Sequence, residues 1–150
     1  MTYQEVQNLV TEFEQGTYPV AKWNHRAHVL MALWYTYYQP LPQARESIKE
    51  GIKHYNVSVG GKNTDNSGYH ETLTELYIRV IAQYQLMFDD NNLTARIDLL
   101  DDQPFLDKSF PLRYYRKDLL MSKKARRQWI PPDLKPLLNF EFVESKEATY

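Results

Sequence analysis

Two short segments carry the residue types that could do chemistry. The first is Asn24-His25-Arg26-Ala27-His28, whose histidines are three apart, a spacing that puts both on one face of a helix. The second is Tyr69-His70-Glu71-Thr72-Leu73-Thr74, with Thr74 one turn beyond His70. Both read as helix starts. The partial positive charge at a helix N-terminus disfavours imidazolium, and neutral imidazole is the form that ligates metals. If the two helices run parallel, with one helix returning between them, His25, His28 and His70 converge. Three protein nitrogens plus an open water position is the pattern of a catalytic zinc or iron site. Glu71 is then the candidate general base, and Asn24 and Thr74 are candidate substrate contacts. Two other readings stand beside this one: a polar pocket without metal, and histidines that are purely structural. Neither H-E-x-x-H nor a repeated E-x-x-H is present, so no familiar metal motif decides between them.

The fourth histidine, His54, follows Glu50 by four residues. Ile48, Ile52 and Tyr55 define the apolar side of that helix, which turns His54 toward solvent. A basic run comprises Arg113, Arg116, Lys117, Lys123, Lys124, Arg126 and Arg127, interleaved with Tyr114, Tyr115 and Trp129. Such a pattern can hold single-stranded nucleic acid. Acidic residues lie just upstream, however, and the formal net charge is −1. A solvated surface is therefore the favoured reading, with one arginine free to turn inward as an anion anchor.

The elements that must position these groups are helices. Thr2 and Glu5 form a capping-box pattern ahead of Val6, Leu9, Val10 and Phe13, predicting a first helix from about Thr2 to Gln15. Asn24 is a good N-cap for a second helix to Tyr38. That helix is apolar on nearly every side after its first turn, as expected of a central helix. Pro42 opens a third helix that stops before Val57. The stretch from Gly60 to Gly68 reads as a loop. A fourth helix is predicted from about Tyr69 to Gln85, and a short fifth from Leu93 to Leu100. Two short helices are expected near Pro111–Leu120 and Ser122–Trp129. Period-2 alternation appears only weakly, at Phe140 to Val143. The expected fold is all-α: a compact bundle of five to seven helices with an irregular C-terminal region. Residues 1–138 are expected to form one domain and 139–150 a flexible tail.

At 150 residues the chain has the length of one domain. It contains no cysteine, which excludes disulfides, thiolate metal sites and a cysteine nucleophile. There is no G-x-S-x-G elbow, P-loop or G-x-G-x-x-G. The polar N-terminus lacks a signal-peptide pattern, and no apolar run approaches the roughly 18 residues of a membrane span. The expectation is a cytoplasmic protein that does not enter a membrane. Aromatic residues make up 14% of the chain, with 12 tyrosines, a residue suited to pocket rims as well as cores.

Trp23-Asn24-His25-Arg26-Ala27-His28-Val29, the Tyr69–Thr74 segment, and the late Tyr114-Tyr115, Ala125-Arg126 and Pro132-Asp133-Leu134 together resemble a family of small bacterial proteins of unknown function. Its members share N-H-x-x-H, Y-H-E-T-x-T and Y-Y…A-R…P-D-L segments. The resemblance covers roughly Trp23 to Leu137 and brings no substrate. It implies that His25, His28 and His70 belong to the distinctive segments, and adds Tyr115, Arg126 and Asp133 to them. Tyr115 and Arg126 thereby join the candidate binding residues. Two function classes remain open. One is a metal- or histidine-dependent enzyme, or a binder of a small polar or anionic molecule, at a His25/His28/His70 pocket, with a divalent zinc or iron as the candidate cofactor. The other is a non-catalytic module that presents a tyrosine-rich or basic surface to a protein or nucleic acid.

Overall fold

The computed structural model describes residues 1–144. Helix α1 spans Tyr3–Gln15 and begins with the full capping box: the Thr2 side chain accepts from the Glu5 N–H, and the Glu5 side chain accepts from the Thr2 N–H. Its buried face is Val6, Leu9, Val10 and Phe13. Helix α2, His25–Tyr38, is capped by Asn24, whose side chain accepts from the Ala27 N–H. Seven of its fourteen residues are buried, and it packs against α1 as well as the two helices that follow. It is the central helix that its all-round apolar sequence predicts.

Helix α3, Leu41–Ser58, buries Ala44, Ile48, Ile52 and Tyr55. Gly51 lets α1 approach it closely, because a Cβ there would lie 2.7 Å from the Phe13 ring. Helix α4, Glu71–Leu86, is capped by His70. Helix α5 follows at Leu93–Leu100. The expected helix near Pro111–Leu120 is instead a 3-10 turn at Phe110–Arg113 and a short α6 at Lys117–Leu120. Helix α7 is Lys123–Arg127. The described residues contain seven α-helices and no strand, which is the all-α bundle the periodicity predicts. None of these helices is long and apolar enough to cross a membrane.

The C-terminal boundary differs from the expectation of a domain ending at 138. Phe140 and Phe142 pack against the core, with Phe142 edge-on to Tyr84 and Phe105. The buried Gln103 amide donates to the Val143 carbonyl, and its oxygen accepts from the Val143 N–H. A side-chain amide thus pairs with an extended segment as a neighbouring strand would. Partial burial of two phenylalanine rings favours this docking. The remainder of the predicted tail, 145–150, lies outside the described residues.

Candidate functional site

The starts of α2 and α4 meet beside the later half of α3, as a return helix between two parallel ones requires. They border a partly open cavity of about 460 Å³, within the roughly 300–1,000 Å³ range of small-molecule sites. Its walls are mainly apolar. Met31 and Ala32 line it from α2, Ile48 and Ile52 from α3, and Ile78 and Ile81 from α4. Its polar end holds His25 and His28, with Trp23, Tyr77 and Thr74 close by. Among the described residues, no aspartate, glutamate, lysine or arginine lines it.

The three candidate histidines differ in what their ring nitrogens do. A carbonyl oxygen only accepts, so a ring nitrogen bonded to one must carry the hydrogen. His28 Nδ1 donates to the Asn24 carbonyl at 2.8 Å, which leaves Nε2 as the bare nitrogen of the neutral ring. Burial pushes this imidazole below its ordinary pKa, although the Asn24 bond and the nearby His25 also act on it. His25 Nε2 donates to the Phe105 carbonyl at 2.9 Å, which leaves Nδ1 bare in the neutral ring. Neither bare nitrogen has a partner among the described residues or is a fully buried atom.

His70 is the opposite case. Its Nε2 donates to the Leu120 carbonyl at 2.8 Å, while its Nδ1 accepts from the Leu73 N–H at 3.1 Å. Both nitrogens are engaged, and burial is the main cause of its lowered pKa. The predicted three-histidine metal centre is therefore corrected. His70 has no lone pair to give, and among the described residues no three histidine or acidic side chains form a group able to hold a metal ion. The sequence placed His70 in the first turn of α4. It stands one residue earlier, where a side-chain acceptor caps the helix.

Glu71 does not line the cavity. It accepts from Lys49 Nζ at 2.7 Å and from the Tyr69 hydroxyl at 2.6 Å. The same lysine reaches Glu75, a buried carboxylate that Arg45 and Arg79 also hold. This network joins α3 to α4, so the predicted general base is part of an interhelical ion cluster. Thr74 lines the cavity, but its hydroxyl donates to the His70 carbonyl at 2.7 Å. Asn24 lines it too, with its side-chain oxygen committed to the cap.

The late segment serves the site indirectly. Tyr115 is fully buried and donates to the Ile130 carbonyl at 2.6 Å; desolvation raises its pKa to about 12. Arg126 donates to the Gly68 carbonyl at the cavity rim. Asp133 accepts from the Arg116 N–H. The Thr72 hydroxyl donates to the Gln128 carbonyl and accepts from the Ile130 N–H. The Tyr69–Thr74 and Ala125–Leu134 segments, singled out separately in the sequence, thus form one clasp around the start of α4. Arg127 pairs with Asp65 in the adjoining loop. Of the basic run, Arg113, Lys117, Lys123 and Lys124 are exposed, as expected of a solvated surface. His54 is exposed as well.

The sequence reading missed Trp23, Tyr77 and the apolar wall. The Trp23 ring lies 4.0 Å from the His28 ring, and it also meets the rings of Phe13, Tyr18 and Tyr55. That aromatic packing fixes the orientation of His28. The indole N–H is buried with no acceptor among the described residues. The signal was present in α4: Leu73, Tyr77 and Ile81 share a helical stripe, yet Leu73 and Tyr77 are only part-buried while Leu76 and Val80 are fully buried. Burial shifts the Tyr77 hydroxyl pKa upward, so it remains protonated.

No family model matches the chain, and the curated proteins and the solved structures give no match either.

Proposed function

We propose that this protein binds a small molecule in the cavity between α2, α3 and α4, with the polar end of the ligand against His25 and His28. The observation that carries the reading is the bare Nε2 of His28 in a largely apolar cavity. An apolar wall with a few convergent polar groups is the usual composition of a ligand site. His28 is held neutral by burial and fixed as one tautomer by the Asn24 carbonyl, so its free nitrogen is a ready acceptor. In an enzyme the same nitrogen would serve as a general base. The reading keeps the histidine pocket and moves its ligand from polar or anionic toward mainly apolar, because no lysine or arginine among the described residues lines the wall.

The test is titration of the protein with indole, followed by NMR of the isoleucine methyl groups. Saturable shifts at Ile48, Ile52, Ile78 and Ile81 are expected. Filling the cavity with Ala32→Phe should abolish them in a protein that still folds. Shifts that do not saturate, or that survive the substitution, would overturn the reading.

A further inference from the structure

We infer that the cavity selects an uncharged ligand with an apolar body and a head group that donates hydrogen bonds; this rests on the reading of the cavity as a ligand site. Three observations converge on it. First, the histidines are acceptors by construction. Each spends its N–H on a backbone carbonyl, His25 on Phe105 and His28 on Asn24. In the neutral ring, what each can offer a ligand is a lone pair, and a lone pair is satisfied by an N–H or O–H.

Second, among the described residues no aspartate, glutamate, lysine or arginine lines the wall. Burying an isolated ion without a partner is far more costly than burying a hydrogen-bonded neutral group. An anionic head would find no lysine or arginine among the described lining residues and would face the bare nitrogen of His28. A cationic head would find no carboxylate, because Glu71 and Glu75 are held by Lys49, Arg45 and Arg79 on the other side of α4's first turns. Third, the Tyr77 hydroxyl can accept from or donate to a neutral head without a change of charge. Tyr77 lines the cavity, its hydroxyl has no hydrogen-bond partner among the described residues, and burial raises its pKa. The apolar flanks supplied by Ile48, Ile52, Ile78 and Ile81 complement an aromatic or aliphatic body.

The selection can be measured with four probes of nearly one shape: benzamide, N,N-dimethylbenzamide, benzoate and benzamidinium. Titration of the full chain is read by the same isoleucine methyl shifts and by the imidazole nitrogen shifts of His25 and His28. Benzamide is expected to bind at least tenfold more tightly than each of the other three. Its binding should move the His28 Nε2 resonance, and the advantage over N,N-dimethylbenzamide should collapse in His28→Phe. Equal binding of all four probes, or preference for benzoate or benzamidinium, would overturn the inference while leaving the cavity as a ligand site. Failure of every probe, together with failure of indole, would overturn the ligand site itself. The comparison among probes uses the unaltered protein, so it does not depend on the variant folding.

Discussion

The N-termini of α2 and α4 are built from similar residues and do different work. Each carries a histidine in or beside its first turn. At α2 the cap is Asn24, and the histidines that follow keep one nitrogen free. At α4 the histidine is itself the cap, and it also ties the helix to Leu120. A dedicated capping residue therefore releases imidazoles for other uses, whereas a capping imidazole is consumed by the fold. The difference is set by one position: whether the histidine stands at the N-cap or after it.

The strongest way to break this comparison is at His70. Replacing it with Ala removes a cap, costing about 1 kcal/mol, and leaves the buried Leu120 carbonyl unpaired, costing about 1–3 kcal/mol. A destabilisation of roughly 2–4 kcal/mol is expected by urea unfolding. His70→Asn should recover the cap portion alone, and full recovery would show that the Leu120 bond contributes nothing. Asn24→Ala should destabilise by about 1 kcal/mol, less than His70→Ala. It should also leave the His28 bond to the residue-24 carbonyl in place, readable as an unchanged Nδ1 resonance.

Acid titration sharpens the comparison further. His28 and His70 both have folded pKa values below the ordinary 6.5. As pH falls, the unfolded chain takes up protons first, so this stability is complete above about 6.5 and is lost progressively down to the folded values. The unfolding midpoint should decline across that window, and His28→Phe and His70→Asn should each remove part of the slope. A later acid limb belongs to Glu75, whose carboxyl is held below its ordinary 4.5 by Lys49, Arg79 and Arg45 against the opposing effect of burial. The smallest effect is expected from His28→Phe at neutral pH. It keeps the ring against Trp23 and should change stability by less than about 1 kcal/mol while weakening benzamide binding.

Much of the fold was legible because its signals are local. The capping box at Thr2, the Asn24 cap and the apolar faces of α1 to α4 each follow from a few neighbouring residues. The site was legible only at its polar end. Periodicity reports that Leu73, Tyr77 and Ile81 face inward, but it does not distinguish a filled core from a cavity wall. The role of His70 depended on a carbonyl 50 residues away, and that of Glu71 on Lys49 in another helix. Likewise Phe140 and Phe142 read as weak alternation, because the rings they meet are dispersed along the chain.

The clasp between Thr72 and the segment at Gln128–Ile130 joins positions 56 and 58 residues apart. Protein chains are made from the N-terminus at about 5–20 residues per second. Helices α1 to α3 can therefore assemble early, but the Thr72 hydroxyl gains its two backbone partners only after Ile130 has been added. The helices that line the cavity are therefore all synthesised before the clasp that holds the start of α4 is complete. A nascent chain halted before Gln128 would carry the histidines of α2 in a pocket whose far rim is still unfastened.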